Sequence, residues 1–200
     1  MTPDDLRYLR RALALARRGR GRVHPNPMVG AVVARDGAIV GEGFHPRAGA
    51  PHAEIFALRA AGALARGATL YVSLEPCAHQ GRTPPCADAV IAAGIARVVF
   101  AALDPNPLVA GRGRARLRAA GVAVDCGALR EEEARLNEAW RHWMATRRPF
   151  VTLKLAASLD GKIATRAGHA QWITGAAARR DGHGLRAVQD AILTTAATVL

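Results

Sequence analysis

The feature that most constrains the fold is an order of elements: one hairpin, then helices and strands in strict alternation. Residues 29–34 and 38–43 are apolar runs flanking Arg35-Asp36-Gly37, a hairpin signal. Residues 52–66 then carry helical periodicity and stop at Gly67. Residues 69–74 read as a strand running into Glu75-Pro76-Cys77, and residues 84–93 as a short helix ending at Gly94. Residues 97–102 form an apolar strand running into Asp104-Pro105-Asn106-Pro107. A helix over 112–120, a short strand over 122–124 and a helix over 131–144 follow, and residues 4–18 form an amphipathic helix at the start. A hairpin followed by such alternation predicts an α/β chain with one mixed sheet of five strands, the later ones parallel and covered by helices. Ligands in such sheets bind beyond the carboxyl ends of the strands. Cys77 and Asp104 both follow strands there, so they can share one crevice.

After Thr146 the pattern restarts. Residues 150–155 read as a strand, Ser158-Leu159-Asp160-Gly161 as a turn, residues 176–189 as a helix weakened by Gly182 and Gly184, and residues 191–193 as a second strand. The expected division is therefore residues 1–146 and 147–200. About 50 residues rarely bury enough apolar surface to be stable alone, so the second segment reads as the opening part of a further domain.

Three fragments fit one metal site: His52-Ala53-Glu54, Pro76-Cys77 and Cys86. One nitrogen and two sulfurs suit zinc, and three protein ligands leave a position for water, as catalytic zinc sites do. Two scattered Cys and a His are ordinarily core residues. Here each sits at an element boundary, as a site assembled from several segments requires. Pro84-Pro85 prepares a helix that Cys86 enters, where a thiol pKa is lowered. A structural zinc with His79 or Cys126 as fourth ligand is the alternative, but it leaves Glu54 without a role. Otherwise Cys126 reads as a small buried hydrophobe. The order H-x-E, then P-C and a second Cys, is the pattern of zinc nucleobase deaminases, with the Glu carrying protons.

Two Pro-flanked asparagines recur, in His24-Pro25-Asn26-Pro27 and Asp104-Pro105-Asn106-Pro107. Proline stiffens the backbone and can aim an amide that offers both donor and acceptor. Arg82 can meet a phosphate. The net charge is +12, yet of 28 basic residues only Lys154 and Lys162 are lysine, and aromatic residues are 4%. Stacking platforms for single strands are therefore scarce. The charge reads as an Arg-rich, Ala-rich composition, and nucleic acid is not the expected partner. Three Cys make no disulfide framework. No apolar run reaches the length of a membrane span and the N-terminus lacks the order of a secretory signal. A cytoplasmic protein without a membrane partner is the expectation, with homo-oligomerisation left open.

Together these segments resemble the bifunctional deaminase–reductases of riboflavin biosynthesis. The resemblance runs through His24 to Gly30, Pro51-His52-Ala53-Glu54, Leu74 to Cys86, Asp104-Pro105-Asn106-Pro107, Lys154 to Gly161, Gln171-Trp172-Ile173-Thr174 and the stretch from Ala191 to the end. Its most specific element is the eight residues between Cys77 and Cys86, where most nucleobase and nucleoside deaminases place two. It implies a three-layer α/β/α cytidine-deaminase-like domain followed by the first part of an α/β reductase domain. The implied reaction is zinc-dependent deamination of 2,5-diamino-6-ribosylamino-4(3H)-pyrimidinone 5′-phosphate to the aminouracil, with NADPH-dependent reduction of the ribosyl group afterwards. Glu54 corresponds to the family's proton carrier, and Asn26, His79, Arg82, Asp104 and Asn106 to its substrate contacts. In the second domain Ala156, Trp172 and Thr198 match cofactor contacts and Arg186 a substrate contact. Ala170 departs from the family, which usually has Ser there. Because the sequence stops at Leu200, a working deaminase and no reductase activity are expected of these 200 residues. Two further readings are a deaminase of tRNA adenosine or another nucleobase, and, outside enzymes, a zinc-stabilised RNA-binding module.

Overall fold

The computed structural model describes residues 1–81, 83–107 and 109–196. It separates into two units, Met1–Phe150 and Val151–Leu200.

In the first unit, helix α1 (Pro3–Ala16) opens on a reciprocal cap. Thr2 Oγ1 accepts the Asp5 N–H, and Asp5 Oδ2 accepts the Thr2 N–H. Strands β1 (Gly30–Arg35) and β2 (Ala38–Phe44) form the hairpin. Helix α2 (Ala53–Ala61), strand β3 (Thr69–Val72), helix α3 (Cys86–Ala92), strand β4 (Arg97–Phe100), helix α4 (Arg112–Ala119) and strand β5 (Ala123–Cys126) alternate as expected. Helices α5 (Arg130–Leu136) and α6 (Glu138–Thr146) complete the unit. The sheet order is β2-β1-β3-β4-β5. β1 is antiparallel to both neighbours, and β3, β4 and β5 run parallel.

The period-2 alternation of the strands sorts the core into two layers. On one face Ala31, Val33, Leu70, Val72, Val98, Phe100 and Val124 pack with Ala57, Val90 and Leu117 from α2, α3 and α4. On the other, Val32, Ala34, Tyr71 and Val99 pack with Tyr8, Leu9, Ala12 and Leu15 of α1. The result is the three-layer α/β/α arrangement. α2 lies unusually close to β2: a Cβ on Gly41 would fall 2.3 Å from the Ala57 carbonyl oxygen, and one on Gly43 would fall 2.4 Å from that of Ala53. Alanines at 53, 57 and 61 face those two glycines, which brings the start of α2 tight against the sheet.

Three expectations change. The helix expected over 131–144 is broken at Asn137 (φ −106°, ψ 27°), whose side chain is held by another segment of the chain. The helix expected over 52–66 ends at Gly62, whose φ of 53° is left-handed, and finishes as a 3₁₀ turn. From the end of the first unit into the second, residues 150–155 and 191–193 form no strand. A strand exists only as part of a hydrogen-bonded pair, and neither segment has such a partner among the described residues. That unit contains helix α7 (Ala176–Ala187). Several of its apolar side chains are exposed, Leu153, Leu155, Ile163 and Trp172 among them.

Candidate metal centre and active site

The loop entering α2 makes His52 the residue just before the helix, and Glu54 lies in its first turn. Cys77 sits in the loop after β3, and Cys86 is the first residue of α3. The fold brings the three together: His52 Nδ1 lies 3.1 Å from Cys86 Sγ and 3.6 Å from Cys77 Sγ. All three donor atoms fall within 4.8 Å of one another, and no other such group of metal-ligating side chains exists among the described residues. Neither His79 nor Cys126 joins them. His79 is exposed, and Cys126 is half-buried against the hydrophobic core, near the Arg114 guanidinium.

The α3 N-terminus acts on the other sulfur from the one expected. The Cys86 N–H donates to Cys77 Sγ at 3.3 Å. Hydrogen bonds from the Cys86 thiol, His52 and that N–H hold the Cys77 thiol below its ordinary range, against the opposing effect of burial. Cys86 is pushed upward by its bond to Cys77 and by burial. Glu54 is buried, and its Oε2 is the one buried side-chain oxygen or nitrogen among the described residues with no hydrogen-bond partner. Burial pushes its carboxyl up to about 7 against the opposing pull of His52. An orphaned acid oxygen beside an N, S, S donor set fits a site that takes a metal ion and a water.

Two loops border this cluster. His45, at the end of β2, is buried and stands edge-on to the His52 ring at 5.4 Å between centroids. Its Nδ1 lies 3.1 Å from the Pro51 carbonyl oxygen and its Nε2 3.0 Å from Asn26 Nδ2. A carbonyl only accepts, so Nδ1 carries the proton and Nε2 accepts from the Asn26 amide. Asn26 is thereby fixed with its nitrogen committed and its Oδ1 as the acceptor it can offer.

Glu75, in the same loop as Cys77, accepts from the Asp104, Gly111 and Arg114 N–H groups. That ties the β4 loop to the segment bearing Cys77. Asp104 is buried, accepts the Asn106 N–H at 2.7 Å, and is pushed up to about 6, chiefly by burial. Asn26 is thus tied to the residue that stands against His52, through His45, and Asp104 to the segment bearing Cys77, through Glu75; the sequence singled out neither His45 nor Glu75 as a site residue.

Arg82 and Thr198 lie outside the described residues. Ala156, Trp172 and Arg186 are in the second unit: Ala156 is half-buried, Arg186 is exposed on α7, and the exposed Trp172 ring lies under the Arg179 guanidinium at 4.5 Å.

Residues 2–102 match the family described as the cytidine and deoxycytidylate deaminase zinc-binding region. The chain belongs to this deaminase family. Residues 149–200 match a second model, the RibD C-terminal domain. It is 58% identical to the riboflavin biosynthesis protein RibD of Escherichia coli over 98% of its own length and 54% of that protein's. The chain therefore spans about half the length of the curated relatives it matches. It also resembles the crystal structure of a diaminohydroxyphosphoribosylaminopyrimidine deaminase/5-amino-6-(5-phosphoribosylamino)uracil reductase from Thermotoga maritima. That likeness has a TM-score of 0.92 at 47% identity and covers 98% of this chain and 56% of that one. Acinetobacter baumannii RibD matches with a TM-score of 0.87 at 51% identity, over 92% of this chain and 52% of that one. The four-residue segment Pro51-His52-Ala53-Glu54 and the Cys77 to Cys86 stretch both fall inside the deaminase match. No helix among the described residues is long and apolar enough to cross a membrane.

Proposed function

We propose that this chain carries out the deamination step of riboflavin biosynthesis. It would hydrolyse the exocyclic amine of 2,5-diamino-6-ribosylamino-4(3H)-pyrimidinone 5′-phosphate to give 5-amino-6-(5-phosphoribosylamino)uracil and ammonia. The observation that carries the reading is Glu54 Oε2, buried and unpartnered beside the His52–Cys77–Cys86 cluster. Those three residues would hold one Zn²⁺, which supplies a Lewis acid able to make water nucleophilic at neutral pH. Glu54 would take one proton from the attacking water and give it to the ring nitrogen, then take the proton left on the added hydroxyl and give it to the amine, which departs as ammonia as the C–N bond breaks and the ring carbonyl forms. A carboxyl with its pKa near neutrality suits both transfers. Asn26 Oδ1 accepts from a ring N–H or amine of the substrate, while Asp104 and Asn106 bind its polar groups from the opposite loop. His79 and Arg82, between the two cysteines in sequence, would contact the substrate, Arg82 at its phosphate.

Residues 1–146 are on this reading the deaminase domain, and residues 147–200 belong to an NADPH-dependent reductase domain. There Ala156, Trp172 and Thr198 would face the cofactor and Arg186 the sugar. The RibD C-terminal match over residues 149–200 supports that assignment. The partner is a small phosphorylated ribosylaminopyrimidine, and the compartment is the cytoplasm.

The test is ammonia release from that substrate by the zinc-loaded chain, with cytidine and tRNA as competitors. Turnover of the pyrimidine phosphate with little of either competitor is expected. Preferential turnover of tRNA would replace the reading by that of a tRNA deaminase.

A further inference from the structure

The two Pro-Asn-Pro loops are joined by a third segment, residues 133–141, which lies in the stretch 103–148 that neither family match covers. At the break between α5 and α6, the Asn137 side chain bonds both backbone groups of Met28. Its Oδ1 accepts the Met28 N–H at 2.8 Å, and its Nδ2 donates to the Met28 carbonyl at 3.0 Å. The second hydrogen of that amide goes to Glu133 Oε1 at 2.8 Å. Both donors and the acceptor are therefore used, and Asn137 is buried. Met28 lies two residues from Asn26.

Glu133 is fully buried, and its other oxygen receives the Arg141 guanidinium, with Nε at 2.8 Å. Arg141 Nη2 in turn donates to the Leu103 carbonyl, at 3.3 Å, immediately before Asp104. One chain of hydrogen bonds thus runs Met28–Asn137–Glu133–Arg141–Leu103 and joins the two loops from behind. A buried carboxylate and amide with every polar atom paired form a costly network to break and a stiff one to keep. The helix break at Asn137 is what aims its side chain across to Met28.

We propose that Asn137, with Glu133 and Arg141, is a positioning clamp that sets the distance between the Asn26 loop and the Asp104 loop, and so sets substrate affinity without touching substrate or metal ligands. This rests on reading Asn26 as a substrate contact.

The experiment compares the zinc-loaded full chain with Asn137→Ala, Asn26→Ala and the double variant. Three quantities are read: bound zinc, hydrogen exchange at the Met28 amide, and KM and kcat for the ribosylaminopyrimidine phosphate. In Asn137→Ala the Met28 amide should exchange at least about tenfold faster and zinc should stay stoichiometric. KM should rise about ten- to a hundredfold, with kcat changing far less. In the double variant the rise in KM should fall clearly short of the product of the two single effects, because the clamp acts in part through that residue. Should Asn137→Ala not fold, Asn137→Ser serves instead; its short hydroxyl cannot span both backbone groups of Met28.

Unchanged exchange at Met28, or a KM effect that multiplies fully onto Asn26→Ala, overturns the clamp. If exchange quickens while Asn26→Ala leaves KM unaltered, the assignment of Asn26 fails and the proposal falls with it. That outcome is distinguishable because the loop has still responded.

Discussion

Replacing Gly113 by alanine sets helix propensity against a single backbone contact. Gly113 is buried in the first turn of α4. Propensity alone favours the change by about 1 kcal/mol, because glycine has more backbone freedom to lose. The structure predicts the reverse. The added Cβ would sit 1.8 Å from the Pro76 carbonyl oxygen and 3.0 Å from its carbonyl carbon. Restoring ordinary contact needs a shift of roughly 1.5 Å. The obstacle is backbone, so it has no rotamer to escape into. Overpacking of this kind costs about 1–3 kcal/mol, which outweighs the propensity gain.

The direction of the shift matters more than its size. Pro76 precedes Cys77, and Glu75 is bonded to the Gly111 and Arg114 amides of the same turn. Moving α4 or the loop therefore displaces a metal ligand. Gly113→Ala should lower the melting temperature and weaken zinc binding about 10- to 100-fold, as loss of support behind a ligand does. Thermal melts and zinc competition against a chromogenic chelator measure both. Gly184→Ala in α7 is the control: its Cβ would meet nothing within 4 Å, so hydrogen exchange in that helix should slow slightly. A Gly113→Ala protein that melts at or above the parent and binds zinc equally well would refute the reasoning.

Glu54→Gln should keep the metal and the fold and lose about 10²–10⁴ in kcat, read by ammonia release and metal analysis; near-parental turnover would remove Glu54 from the chemistry. Chelating the metal should abolish turnover and lower the melting temperature by mass action, with recovery when zinc is restored. Asp5 is held well below the usual carboxylate range, first by its hydrogen bonds to Arg97 and then by Thr2 and Tyr71. Its stabilising contribution is thus present above the unfolded pKa, near 4, and is lost as pH falls through the lower folded value. Asp5→Asn should cost about 3 kcal/mol near neutrality, a gap that narrows in urea melts as the pH drops below about 4. Asp104 is a carboxylate only above about 6. If it accepts from substrate in that form, KM should fall as pH rises through 6, and Asp104→Asn should flatten that dependence.

The parts of this molecule legible in the sequence are those set by local pattern. The hairpin, the alternation after it and the two-faced strands follow from apolar periodicity. His52, Cys77 and Cys86 stand out because chemistry fixes their residue types. The parts that were not legible are set by contacts between distant segments. Residues 131–144 have continuous helical periodicity, and nothing within them shows that Asn137 leaves the helix to meet Met28, 109 residues away. His45 lies in an ordinary Gly-Phe-His-Pro stretch, and its part in orienting Asn26 depends on which ring nitrogen faces the Pro51 carbonyl. The runs 150–155 and 191–193 have strand composition, but composition supplies no pairing partner.

The arginine surplus carries the same lesson from the side of charge. A net charge of +12 invites a nucleic-acid reading when the residues are counted. In the fold several arginines are committed to carboxylates: Arg97 to Asp5 and Asp125, Arg141 to Glu133, Arg11 to Glu42 and Arg116 to Asp88. Two of those acids, Asp5 and Glu133, are buried, so their partners are structural elements rather than free surface charge. Arg97 joins α1 to β4 and β5, and Arg141 joins α6 to the Asp104 loop. An arginine can hold a carboxylate with two N–H groups and still reach a third acceptor. In this chain that geometry ties together elements distant in sequence, and in the Arg141 case it reaches the backbone just before Asp104.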